Sequence, residues 1–161
     1  MILRPNVGFM FAHPAHMIAL GFGTGLSPIA PGTIGTLLAF PLYGVISDWL
    51  EPLQLFILLC ALFALGVWAC RKTGEDLGIS DHTNMNWDEV VAFMLVLMFT
   101  PEGMAWRAFA FLAFRAFDVV KPHPIRYFDR TLKGGFGVMF DDLAAAFYTL
   151  LLMAIIKQVF L

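Results

Sequence analysis

The sequence predicts an all-α protein: one compact, membrane-embedded bundle of helices carrying a polar, carboxylate-rich site at its cytoplasmic face. Three observations lead there. Sixty per cent of the 161 residues are apolar and 14% are charged, where a soluble domain carries about 25% charged residues. The apolar residues fall in long runs rather than in amphipathic stripes. The remaining charges gather in a few polar islands between those runs, and charge near a membrane is kept mainly where it has a task.

The runs define the elements. Leu53 to Cys70 carries no charge and is near the lower limit of the ~17–25 residues that cross a bilayer. Arg71 and Lys72 follow at once, which places its C-terminal end on the cytoplasmic side. Ile34 to Ile46, interrupted by Pro41 and Gly44, reads as a short or kinked span. Its connection to the next helix, Ser47 to Pro52, has no Lys or Arg and suits the far side. Val90–Phe99 and Met104–Phe117, joined through Thr100-Pro101-Glu102-Gly103, read as a helical hairpin. Leu143 to Ile156 closes the chain. Three to five membrane-embedded helices form a single domain over 1–161, with the mature chain expected to start at Met1.

Composition excludes several classes. A net charge of −2 gives no basic stripe for nucleic acid. Cys60 and Cys70 would stand about 15 Å apart on one helix, too far to pair, and they lack zinc-ligand spacing. The four histidines form no ligand set; His13, His16 and His123 read as structural, and His82 stands in an acidic loop.

Three islands carry the chemistry. Residues 21–36, G-F-G-T-G-L-S-P-I-A-P-G-T-I-G-T, form a loop whose glycines can aim several N–H groups at one anion. Ser27, Thr33 and Thr36 are its candidate phosphate donors, with Thr33 and Thr36 at the expected start of the next helix. Residues 75–89 end in Trp87-Asp88-Glu89, leading straight into an apolar run. Residues 114–142 are the densest. Arg115 and Asp118 share a helical face at i,i+3, and Pro122 and Pro124 force an extended turn. Gly134, Gly135 and Gly137 are expected in a tight loop from which Asp141 and Asp142 open the last helix. Adjacent helical residues diverge by ~100°, so these two aspartates should have different tasks.

Asp88, Glu89, Asp118, Asp129, Asp141 and Asp142 thus interleave with Arg115, Lys121, Arg126, Arg130 and Lys133. Hard carboxylate oxygens suit magnesium, which shares its shell with water and phosphate oxygens, while the cations clamp remaining phosphate charge. The reading from residues alone is a membrane protein that handles a phosphate with a divalent metal. A small transporter or ion-handling protein with a carboxylate path is the alternative, and it would place charges at mid-helix.

The blocks W-D-E-V-V-A, F-R-A-F-D-V-V-K-P-H-P-I-R-Y-F-D-R and G-G-F-G-V-M-F-D-D-L-A-A-A, with the loop above, stand in one order from about Ala19 to Ile156. Together they resemble the phosphatidylglycerophosphatase A family. Two departures are Ala92, where that family usually has glycine, and Ala145-Ala146, where it usually reads Ala-Gly. The resemblance implies a magnesium-dependent enzyme of the bacterial inner membrane, hydrolysing the lipid phosphatidylglycerophosphate to phosphatidylglycerol. Glu89, Asp118, Asp141 and Asp142 are the expected metal ligands. Lys121, with Arg115 or Arg126, would balance the phosphate, and Asp88 or Asp129 would act as general base or as support. The signatures of haloacid-dehalogenase, cysteine-dependent and acid-phosphatase enzymes are missing from the sequence.

Overall fold

In a computed structural model, described over residues 4–160, the chain forms eight α-helices and one 3₁₀ segment. Two short helices, α1 (Val7–Ala12) and α2 (Pro14–Ala19), precede the 3₁₀ segment Gly21–Leu26. Then come α3 (Pro31–Ser47), α4 (Pro52–Leu77), α5 (Trp87–Phe99), α6 (Met104–Val120), α7 (Ile125–Thr131) and α8 (Gly134–Phe160). The runs predicted from hydropathy all become helices, and their ends follow local chemistry. Pro31 and Pro52 occupy first turns, where a missing N–H costs nothing. Gly78 ends α4 in the left-handed region at φ 71°.

Two helices, α4 and α8, are long and apolar enough to cross a membrane. At 26 and 27 residues they measure about 40 Å, against a hydrocarbon core of ~30 Å. Their outer faces present bare apolar side chains: Phe56, Ile57 and Trp68 on α4, Phe147, Leu151 and Ile155 on α8. The helix α3 is shorter but likewise apolar.

Helix α5 departs from the expected pattern. The sequence presents it as one limb of a helical hairpin, and it does contact α6, but it is also the hub of the bundle, packed against α3, α4 and α8. Nearly every residue from Trp87 to Leu97 is buried. Phe93 sits among Phe40, Phe111 and Phe114 at ring-centroid distances of 5.2, 6.0 and 5.4 Å, an edge-on and tilted arrangement favoured by the ring quadrupoles. Hydropathy does not distinguish a helix facing lipid from one enclosed by protein, because both exclude water.

A second correction concerns the glycines before the Asp pair. Gly135 and Gly137 lie inside α8, and Asp141 and Asp142 stand about two turns into the helix rather than at its start. Close packing explains the glycines: a Cβ on Gly135 would fall 1.9 Å from the Val67 carbonyl oxygen. Its absence lets α8 lie directly on α4, and this contact carries the aspartates down to the level of α5. The N-terminal segment also gains structure. His16 is buried and its ring meets the Phe9 carbonyl and the Asp76 carboxylate at 2.9 and 2.7 Å, so α1 and α2 are pinned to α4.

Candidate active site

One end of the bundle collects the N-termini of α3, α5 and α8, the C-terminus of α6 and the loop between α4 and α5. There a pocket of about 280 Å³ is lined by Pro31, Gly32, Asp81, Thr83, Met85, Asp88, Glu89, Arg115, Asp118, Lys121, Asp141 and Asp142. Three chain segments far apart in sequence therefore bring five carboxylates and two cations of the candidate set to one place.

The carboxylates divide into three groups. Asp88, Glu89 and Asp142 each offer an oxygen within 4.8 Å of the other two. Asp88 and Asp142 are buried and Glu89 is 9% exposed. Each of the three also has a buried oxygen, Asp88 Oδ1, Glu89 Oε2 and Asp142 Oδ2, without a hydrogen-bond partner. Burying one unpaired carboxylate is costly, and three together repel. A cation among them removes both penalties, and hard oxygens fit magnesium, calcium or manganese. This carboxylate cluster could hold a metal ion.

Asp118 belongs to the second group. It pairs with Arg115, one helical turn away on α6, and Arg115 Nη1 also lies 3.5 Å from Glu89 Oε1. The guanidinium is thereby steered over the rim of the trio. Space for it comes from Gly32 on α3, where a Cβ would stand 2.1 Å from Glu89 Oε1 and 3.2 Å from Arg115 Nη2.

Asp141 and Asp129 form the third group, around Lys121. This lysine ends α6 in the left-handed conformation, at φ 45°, which is unfavourable for a side chain with a Cβ. Its ammonium donates to Asp129 at 2.7 Å and to Asp141. Burial alone would lower the lysine pKa, but the charge of Asp141 and the bonds to both carboxylates outweigh it and hold the ammonium protonated. Burial likewise opposes ionisation of Asp129, and the hydrogen bond and charge of Lys121 prevail, so its pKa falls. Asp141 and Asp142 face different partners, as their helical divergence requires.

The remaining candidates lie elsewhere. Ser27 donates to the Ile29 carbonyl at 2.8 Å. Thr33 follows Pro31 and Gly32 in the first turn of α3, whose N-cap is Ala30 rather than a threonine, and it does not line the pocket. Thr36 is fully buried and its hydroxyl donates back to the Gly32 carbonyl at 3.0 Å. Arg126 is exposed and donates to the Val120 carbonyl at 3.3 Å. Asp129 touches the pocket only through Lys121.

Asn86 was not singled out by sequence reasoning. It is fully buried; its amide donates to Thr24 Oγ1 at 3.0 Å and to the Pro31 carbonyl at 2.8 Å, while its own N–H donates to the Ala19 carbonyl at 2.9 Å. It ties the glycine-rich segment to the first turn of α5. Standing just ahead of Trp87-Asp88-Glu89, it looks in sequence like an ordinary helix cap. Asp81, in the loop before α5, completes the pocket's acidic lining.

The profile of the family described as Phosphatidylglycerophosphatase A matches residues 17–157. The chain belongs to that family. It is 44% identical to a phosphatidylglycerophosphatase A of Haemophilus influenzae over 147 residues, covering 90% of each chain. It is 43% identical to one of Escherichia coli over 136 residues, 83% of this chain and 78% of that one. A Bacteroides thetaiotaomicron protein, provisionally named a phosphatidylinositol-3-phosphatase, is 37% identical over 150 residues, 89% of this chain and 93% of its own. No solved structure matches the chain. Of the two departures from the phosphatidylglycerophosphatase A pattern, Ala92 is 2% exposed and Ala146 fully buried; the packing of the bundle accommodates both methyl groups.

Proposed function

We propose that the chain is a magnesium-dependent lipid phosphatase that hydrolyses phosphatidylglycerophosphate to phosphatidylglycerol and inorganic phosphate. Family membership and the names of the relatives support the substrate. The observation that carries the chemistry is the trio of orphaned carboxylate oxygens beside two fixed cations.

Asp88, Glu89 and Asp142 would hold the ion. A divalent metal there would polarise the phosphoryl group and make water a stronger nucleophile near neutral pH. The protein's own groups supply the rest. Arg115, oriented by Asp118, and Lys121, oriented by Asp141 and Asp129, balance charge on the phosphoryl oxygens in a transition state that needs positioning and electrostatics above all. Pro31 and Gly32 bring the first turn of α3 to the pocket wall, a placement that favours an anion. Asp118, outside the trio and free of lysine contacts, accepts the proton of the attacking water. The P–O bond to the glycerol then breaks, and the proton taken up by Asp118 passes to the leaving alkoxide oxygen.

The placement proposed is multi-pass in the bacterial inner membrane with the pocket facing the cytoplasm. Arg71, Lys72, Arg115, Lys121, Arg126, Arg130 and Lys133 lie at the pocket end, whereas Arg107 and Lys157 belong to the opposite one, an asymmetry that follows the positive-inside rule.

Phosphate release from phosphatidylglycerophosphate by purified protein in detergent tests the reading. Release should require magnesium, stop with chelator and resume when the ion is restored. Absence of release, or release indifferent to chelator, would overturn it. Phosphatidylinositol 3-phosphate, run alongside, measures headgroup preference.

A further inference from the structure

The charged pocket accounts for the phosphate end of a lipid but leaves its hydrocarbon end without a place. A second cavity, of about 270 Å³, begins where the first one stops. It is lined by Phe56, Leu59, Cys60 and Phe63 of α4, Val91, Ala92 and Leu95 of α5, and Met139 and Leu143 of α8. Asp88 closes one end, and Asp88 also lines the charged pocket.

We infer that this groove between α4, α5 and α8 seats one acyl chain of the lipid whose phosphate occupies the carboxylate pocket. The inference rests on the phosphatase reading and extends it to the substrate's tail. Direction supports the assignment. From Asp88 to Leu95 the groove follows α5 for seven residues, about 10 Å along the helix axis, leaving the pocket end and running toward the middle of the bundle. From Phe63 back to Phe56 the wall of α4 follows the same course, so the groove parallels the helices that span the membrane. A lipid with its phosphate at the interface has its chain aligned this way.

Chemistry supports it as well. Apart from Asp88, every lining side chain is apolar or a thiol. Its side is open: Phe56 and Cys60 are exposed, on an α4 face that offers only apolar side chains to its surroundings. Leu59, Val91, Ala92 and Met139 form the closed inner wall. A chain can therefore enter sideways from the bilayer without passing the charged pocket. The volume lies just under the ~300–1,000 Å³ of small-molecule pockets, room for a stretch of one chain. Ala92 stands on the floor, next to the helical turn that carries Asp88 and Glu89, so its methyl group limits the groove's depth close to the reacting end.

The test compares dioleoyl- with dihexanoyl-phosphatidylglycerophosphate as substrates for wild type, Ala92→Phe and Cys60→Trp, in detergent with magnesium. Filling the groove should lower the ratio of kcat/KM for the long chain over the short chain by about tenfold or more, the scale on which a hydrophobic pocket discriminates. If Ala92→Phe does not fold, Cys60→Trp at the open rim decides alone. A ratio equal to that of the wild type in the folded variants overturns the groove, and identifies its occupant as bulk lipid at most. Failure of the wild type to release phosphate from either substrate overturns the phosphatase reading instead, so the two failures are distinct.

Discussion

The two ends of the bundle are both polar, and both carry carboxylates, but they treat them differently. At the far end Asp48 and Glu51 lie in the α3–α4 connection, exposed beside Trp49. The Glu51 N–H donates to the Gln54 side chain at 3.0 Å, an ordinary helix start. A hollow there, about 490 Å³ between Tyr43, Trp49, Leu55 and Phe99, exceeds the 280 Å³ of the charged pocket. Size therefore does not mark the site. The pocket end is distinguished by carboxylates removed from water, three of them with an oxygen aimed at no donor, and by cations held in carboxylate ion pairs. Hydrated acids at the far end cost the fold almost nothing; buried ones at the pocket end persist against a penalty that a bound cation would relieve.

The largest effect that separates the ends should come from the trio. Glu89→Gln or Asp142→Asn is expected to lower kcat for phosphate release by about 10²–10³-fold, while Asp48→Asn and Glu51→Gln leave it unchanged. Glu89→Gln and Asp142→Asn should also raise the melting temperature of the metal-free protein, since they relieve the burial of like carboxylates, and should abolish the rise expected on adding magnesium to the wild type. Thermal denaturation in detergent with and without magnesium reads both. Equal responses at the two ends would erase the distinction.

Gly32→Ala comes next. Its methyl group collides with Glu89 Oε1, so the carboxylate and Arg115 must shift by an ångström or more. A loss of about 10²-fold in kcat/KM is expected with little change in helicity. Retained activity would mean that α3 gives way and does not shape the pocket.

Lys121→Met tests stability rather than chemistry alone. It leaves Asp141 buried without its partner, for a loss of about 2 kcal/mol in denaturant unfolding. Asp129→Asn, at the half-buried side of the same lysine, should cost less than about 1 kcal/mol. Its pH dependence follows from the lowered carboxylate pKa: the stabilisation is complete above the ordinary aspartate value of 3.8 and is lost as pH falls below it. Lys121, with its pKa raised above 10.5, keeps its charge through neutral pH and gives up its share only in strong alkali. The difference between wild type and Asp129→Asn should thus stay flat from about pH 5 to 9 and shrink toward pH 3. A difference that grows in acid would place the ion pair elsewhere.

How much of this was legible in the sequence varies by residue. Arg115 and Asp118 were readable because i,i+3 spacing on a helix dictates contact. The helix α4 was readable from an uncharged run ending in Arg71-Lys72. The split between Asp141 and Asp142 was readable from helical geometry, but not which of them would turn to Lys121. Thr33 and Thr36 look like anion donors when read locally, yet α3 begins at Pro31 and turns the Thr36 hydroxyl onto its own backbone. Asn86 reads locally as a helix cap and nothing more, because its partners, Ala19, Thr24 and Pro31, lie 55 to 67 positions upstream.

By itself the sequence determined the all-helical class, the apolar spans, the family and the pool of charged residues from which a site could be drawn. Local spacing and hydropathy act over a few residues, and those properties are local. Only the tertiary structure decided that α5 is enclosed by protein, that Asp88 rather than Asp118 or Asp141 completes the trio with Glu89 and Asp142, and that an apolar groove continues from it. Those outcomes depend on helices approaching one another at Gly32 and Gly135, where a missing side chain sets the distance between backbones that are remote along the chain.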